Sequence, residues 1–182
     1  MAQILLAASA SVAIYKACDL ASKLAQDGHR VRAVLTPRAS ELVNPQLFEA
    51  VTGEPAFTTE FGPTRSSAMD HIELAKWAEL YLAAPATADL IARLAHGHAD
   101  DLVTTVALAL PAGTPKLLAP AMNPNMLAQP AVQRNLAQLT ADGWVVVEPD
   151  AGHMACGDAG RGRLPEPAAL VERVRRILGE RR

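Results

Sequence analysis

The residues best suited to chemistry fall in three short stretches. Cys156 lies in Gly-His-Met-Ala-Cys-Gly-Asp-Ala-Gly-Arg-Gly-Arg (residues 152–163), which holds four of the chain's eleven glycines. A thiol in so glycine-rich a segment suits a mobile flap that brings an acid or a nucleophile over a ligand. A zinc reading would use His153 and Cys156, but a third and fourth ligand at suitable spacing are missing. His71, in Met-Asp-His-Ile-Glu-Leu-Ala-Lys-Trp, precedes a short amphipathic turn containing Ile72, Leu74, Ala75 and Trp77. Histidine exchanges protons most readily near neutral pH, although a lone loop histidine is more often surface decoration or a cap. Asn123 stands in Pro-Ala-Met-Asn-Pro-Asn-Met, where Pro120 and Pro124 hold a loop that presents an amide able to donate to a carboxylate. The same residues also read as an ordinary helix-start turn.

These groups need a scaffold, and the apolar pattern supplies one. Five nearly continuous apolar runs, Ile4–Ala8, Val31–Thr36, Leu80–Ala86, Lys116–Ala121 and Trp144–Pro149, have strand length and the unbroken character of strands buried on both faces. Helical spacing separates them. From Ser11, the positions Ile14, Ala17, Leu20, Ala21 and Leu24 share a face, and Gly28 stops the pattern. Thr87 caps a second helix that Gly97 ends, Asn125–Ala141 forms another, and Pro167 opens the last. This alternation predicts an α/β fold of Rossmann-like or flavodoxin-like type, three layers with a parallel sheet between helices. The expected strand order is 2-1-3-4-5, with edge additions allowed; Glu54–Phe61 is an extra strand or a loop. Ligands of such sheets bind at the carboxyl ends of the strands.

Small and hydroxyl residues occupy those ends. Ser9-Ala10-Ser11 follows the first strand without any glycine, so the Gly-x-Gly-x-x-Gly dinucleotide fingerprint is absent. Ser11 at a helix start serves either a phosphate or the helix as its N-cap. Thr36 and Arg38 follow the second strand with one hydroxyl and one cation, which suits a phosphate or a capped turn. Pro85, Ala86, Thr87 and Ala88 end the third, small enough for a flat ring to approach the backbone, with Thr87 also a cap.

Composition narrows the class further. The chain has 182 residues, 50% of them hydrophobic and 4% aromatic, with 17 basic residues against 19 acidic. A single domain of this length buries roughly 70% of the surface of its unfolded chain and needs neither disulfide nor metal. A net charge of −2 makes no electrostatic case for nucleic acid. The first apolar run is too short for a signal peptide or a membrane span, so a soluble cytoplasmic protein with Cys18 and Cys156 reduced is expected.

Taken together, "ASVAIYKA" (Ala10–Ala17), "MDHIELAKWAEL" (Met69–Leu80), "APATADLIARLAHG" (Ala84–Gly97), "PAMNPNM" (Pro120–Met126) and "ACGDAGRGRLPEP" (Ala155–Pro167) resemble the phosphopantothenoylcysteine decarboxylases, a group of flavin-dependent cysteine decarboxylases. The resemblance covers essentially the whole chain. It implies FMN as cofactor, held by Ala10, Ser11, Val12, Thr36, Arg38, Pro85, Ala86, Thr87, Ala88 and Ala121. It implies His71 as the active-site histidine, Asn123 as the ligand of the substrate carboxylate with Met122 and Met154 beside it, and Cys156 as proton donor. The implied reaction converts phosphopantothenoylcysteine to phosphopantetheine in coenzyme A biosynthesis. Oxidation of the CH2–SH group to a thioaldehyde creates the electron sink that loss of CO2 requires, and the resulting enethiol is then reduced. The implied assembly is a trimer or a dodecamer of trimers, in which His71 and the flap complete a neighbour's site.

The chain departs from the group's pattern at Ala10, where glycine is common, at Leu127, where an aromatic residue is common, and at Asp89, where some members have asparagine. Competing readings are a decarboxylase of peptides ending in cysteine, a flavin prenyltransferase and a non-catalytic FMN-binding regulatory subunit. The prenyltransferase would leave Cys156 without a task, and the regulatory subunits tend to lose the histidine or the cysteine. The chain reads as a standalone enzyme or as one half of a bifunctional protein.

Overall fold

The computed structural model describes residues 1–61, 69–153, 157 and 159–179. The elements are β1 (Gln3–Ala8), α1 (Ile14–Gln26), β2 (Arg30–Leu35), α2 (Pro37–Leu42), α3 (Gln46–Thr52), β3 (Ala56–Phe57), α4 (Asp70–Trp77), β4 (Leu80–Ala86), α5 (Ala88–Ala95), α6 (Leu102–Ala109), β5 (Lys116–Pro120), α7 (Pro124–Leu127), α8 (Pro130–Ala141), β6 (Trp144–Val146), β7 (Asp150–His153), β8 (Ala159–Arg163) and α9 (Pro167–Gly179). Six strands form one sheet in the order β3-β2-β1-β4-β5-β6, and every neighbouring pair is parallel. The five expected strands take the expected order, and β3, from the unassigned Glu54–Phe61 stretch, adds an edge beside β2.

The two-residue period of β1 and β4 creates two cores. Ile4, Leu6 and Ala8, with Leu80, Leu82 and Ala84, face α1, α3 and α9 through Leu20, Leu24, Phe48, Leu170 and Val174. Leu5, Ala7, Tyr81 and Ala83 face the other way, toward Leu74, Leu90, Val103 and Leu139 of α4, α5, α6 and α8. With neither face open to water, these strands read as continuous apolar runs. Tyr81 is fully buried, and its hydroxyl donates to the Val103 carbonyl at 2.9 Å. Burial holds this phenol far above its ordinary titration range, so it stays a neutral donor.

Several boundaries differ from the sequence expectation. The first helix begins at Ile14 rather than Ser11, because residues 9–13 form a turn in which Ser11 accepts from Ala13 N–H through Oγ at 3.2 Å. Asn125–Ala141 is two helices, α7 and α8, since Pro130 has no N–H to continue the first ladder. The last sheet strand stops at Val146 instead of Pro149. His71 is the second residue of helix α4 rather than a loop residue ahead of a turn.

The segment expected as a mobile loop is, where described, an antiparallel hairpin of β7 and β8 with Gly152 opposite Gly160. Its glycines permit close packing as well as bending. A Cβ on Gly160 would stand 3.0 Å from Pro124 Cγ and 3.2 Å from Pro124 Cβ, so β8 lies so close against α7 that any side chain there would require Pro124 to shift by a few tenths of an ångström. Met154 and Cys156 lie outside the described residues.

Candidate functional site

The carboxyl ends of β1, β4 and β5 are tied together before any ligand is considered. Ser9, which the sequence reading did not single out, is buried at the end of β1, and its Oγ donates to the Pro85 carbonyl at 2.7 Å while accepting from Thr87 N–H at 2.9 Å. Ala121 N–H donates to the Ala86 carbonyl at 3.0 Å. Thr36 and Thr87 each accept from the third residue of the helix they open, so both hydroxyls act as caps in this structure. Pro85, Ala86, Thr87 and Ala88 thus form a rigid, small-residue rim at the expected end of the sheet. Arg38 is exposed on α2.

A cavity of about 290 Å³ opens beside this rim, between the start of α1, the residues after β5 and the hairpin. Ser11, Val12, Ala121, Met122 and Asn123 line it, five of the residues expected in the site. Asn123 caps α7, its Oδ1 accepting from Asn125 N–H at 2.8 Å, so the amide oxygen is held by the chain and the NH2 group forms the other branch. Met122 N–H donates to the Gly162 carbonyl at 3.0 Å and fastens the Asn123 loop to β8. His153 and Arg163, one on each arm of the hairpin, complete the wall. His71 does not line this cavity.

Sequence reasoning missed the cavity's charge. Lys16 lies on the apolar side of α1 and is only 8% exposed; its Nζ donates to Glu166 Oε1 at 2.7 Å and to the Leu164 carbonyl at 3.2 Å. Arg163 reaches the same Glu166 oxygen at 3.5 Å. The hydrogen bond from Lys16 holds the Glu166 carboxyl below its ordinary range. Two cations of the cavity lining thus share one carboxylate, Glu166, that is not itself part of the lining, which leaves a positive balance for an anionic ligand. The only advance signal was a lysine within an apolar helical stripe, and its partner stands 150 residues away.

A larger cavity, about 420 Å³, lies at the opposite edge of the sheet, where Lys116 and Trp144 begin β5 and β6. It faces the amino ends of the strands and contains none of the residues above. Cys18, on α1, is half-buried, and burial pushes its thiol up, away from the reactive thiolate. Among the described residues no group of three or more His, Cys, Asp or Glu is placed to hold a metal, and no helix is long and apolar enough to cross a membrane.

Comparison with known proteins agrees with this geometry. Residues 1–179 match the family described as Flavoprotein. The coenzyme A biosynthesis bifunctional protein CoaBC of Bacillus subtilis is 43% identical over 177 residues, covering 97% of this chain and 43% of that protein. A probable phosphopantothenoylcysteine decarboxylase of Streptococcus mutans is 39% identical over 176 residues, covering 97% of this chain and 98% of that one. The chain therefore spans about two-fifths of the bifunctional relative but nearly all of the shorter one. Among solved structures, a cysteine-to-serine mutant of a PPC decarboxylase complexed with pantothenoylaminoethenethiol superposes with a TM-score of 0.86 at 29% identity, covering 98% of both chains. With the fold, the rim of small residues and the sequence all in agreement, this chain belongs to the flavoprotein family.

Proposed function

We propose that this chain is an FMN-dependent decarboxylase of phosphopantothenoylcysteine that yields phosphopantetheine for coenzyme A biosynthesis. The observation that carries the reading is the joint between the Asn123 loop and the hairpin. One hydrogen bond, Met122 N–H to Gly162 O, sets the amide suited to a carboxylate beside the hairpin whose connecting residues include Cys156. The alignment with the S. mutans relative along almost its whole length supports it. The rim fits a flavin on two grounds: small side chains at Pro85–Ala88 leave the backbone approachable, and Ser11 faces the adjoining cavity at the start of α1.

FMN, held by the Pro85–Ala88 rim and Ser11, would supply the redox chemistry of the reaction as a reversible hydride acceptor for the cysteine CH2–SH group. The chain's own residues do the rest. Asn123 holds the substrate carboxylate through its NH2 group, with Met122 and Met154 beside it. Lys16 and Arg163 supply the charge that a phosphorylated ligand requires. Cys156 delivers a proton at carbon in the final reduction; a free thiol, with a pKa of about 8.5, retains that proton at neutral pH. His71, which is absent from the Asn123 cavity, acts at the site of a second copy in a trimeric assembly.

The test is an absorbance spectrum of the purified protein followed by anaerobic mixing with phosphopantothenoylcysteine, with CO2 and products measured by mass spectrometry. The expected result is an FMN spectrum and turnover in the wild type, with an enethiol product lacking two hydrogens from Cys156→Ser. Turnover only of a peptide ending in cysteine would assign the site to peptidyl-cysteine decarboxylation. Bound FMN without turnover of either would favour a regulatory role, and no flavin would overturn the proposal.

A further inference from the structure

We propose that Glu60 is a positioning residue for His71, holding its ring in the tautomer with hydrogen on Nδ1 and so leaving Nε2 as the nitrogen offered to the reaction. The inference rests on His71 acting in the decarboxylation. Among the described residues Glu60 Oε1 is buried without a hydrogen-bond partner, and His71 Nδ1 stands 3.6 Å from it. The side chains are 17% and 30% exposed, so water screens the pair only partly. A carboxylate oxygen shut away from water is costly unless a donor faces it, and Nδ1 is the nitrogen placed to supply one. The present separation is an ion-pair distance; contraction by about half an ångström makes it a hydrogen bond, and contacts of this kind tighten when substrate binds.

Each partner sits on a defined local element. Thr59 accepts from Phe61 N–H at 3.1 Å and donates to the Phe61 carbonyl at 2.9 Å, a closed turn around Glu60. His71 rides on α4, which Leu74 and Ala75 anchor in the core. A neutral imidazole has one donor and one acceptor nitrogen, and the hydrogen bond at one decides what the other can do. With Nδ1–H committed to Glu60, Nε2 is the acceptor.

The experiment labels the imidazole nitrogens of the flavin-loaded protein and reads their spectra at mildly alkaline pH, with His71→Asn identifying the His71 signals. The expected wild-type pattern has hydrogen on Nδ1. Glu60→Ala should shift His71 toward the Nε2–H form, whereas Glu60→Gln, whose amide oxygen still accepts, should largely keep the wild-type pattern. With phosphopantothenoylcysteine as substrate, Glu60→Ala should lower kcat by about tenfold with KM nearly unchanged, and Glu60→Gln should recover most of the loss. An unchanged tautomer in Glu60→Ala, or a changed tautomer with unchanged kcat, overturns the proposal. Absence of turnover in the wild type defeats the substrate assignment instead, and the spectra then decide the Glu60–His71 contact by themselves.

Discussion

Helices α1 and α9 lie side by side on one face of the sheet and are joined at both ends by charged groups, yet the two ends differ in kind. At the end of α1, Asp27 accepts from Arg175 through both carboxylate oxygens and faces His29 Nε2 at 3.5 Å. His29 in turn accepts from Ala2 N–H through Nδ1 at 3.2 Å. Every strong group there has a partner from the chain itself. At the start of α1, Lys16 and Arg163 share the single carboxylate of Glu166, whose side chain is 61% exposed. Each end borders a cavity of about 290 Å³, but the first is a balanced latch, whereas the second is a latch with charge left over beside the Asn123 loop. A ligand-sized space beside a salt bridge is therefore not enough; the bridge reads as functional when its charges do not balance and the space also reaches the strand-end loops.

The largest expected effect comes from removing the surplus. Lys16→Met should raise KM for a phosphorylated substrate by roughly tenfold or more, because charge-assisted hydrogen bonds contribute about 1.5–3 kcal/mol. Steady-state kinetics checks this, and an unchanged KM with a lowered Tm would make both ends simple latches. Next comes the hairpin that carries Arg163. Gly160→Val places carbon 3.0 Å from Pro124 Cγ and must push β8 from α7, so kcat should fall by about tenfold while the melting curve moves little.

Breaking the balanced end should do the reverse. Asp27→Asn is expected to lower Tm by roughly 1–3 °C, a modest loss because the pair is near the surface, and to leave kcat/KM unchanged. The smallest effect is on pH dependence. Burial pushes the His29 pKa below its ordinary 6.5, against a smaller opposing pull from Asp27. The unfolded chain therefore binds this proton more readily than the folded one. The stabilisation is complete above pH 6.5 and is lost as pH falls from there through the lower folded value. Thermal melts between neutral and mildly acidic pH should show this slope in the wild type and a shallower one in His29→Gln.

Legibility followed the range of the interactions. The strands β1 and β4 were visible because burial on both faces demands unbroken apolar runs, and the end of α1 was visible because Gly28 takes a positive φ of 83° that other residues avoid. Pro130 was equally visible, yet its helix-breaking effect was passed over, so α7 and α8 were read as one element. The hairpin was hidden for a different reason. Its arms are mostly glycine, arginine and alanine, a composition with no alternating apolar signal, and what orders them is contact with Pro124 and the Met122–Gly162 hydrogen bond.

Among the site residues, Ser11 and Asn123 could be named in advance because each stands next to a strand end in a parallel sheet, where ligands bind, and Met122 followed from the family resemblance. Ser9 looked like one small residue among several; its two hydrogen bonds to Pro85 and Thr87 exist only because β1 and β4 are neighbours. Glu60 was named only as part of an unassigned stretch, since nothing local marks it as a partner of His71.

The sequence by itself determined the strand–helix alternation, the rim of small residues and membership of the flavoprotein family, because periodicity, turn residues and motif spacing are local properties. Tertiary structure alone decided that Lys16 meets Glu166 across 150 residues, that Ser9 joins two loops, that the glycine segment pairs as a hairpin, and that His71 lies apart from the Asn123 cavity. Each of these is a contact between distant parts of the chain, and a distance in space is set by how the layers pack rather than by any residue's own preference.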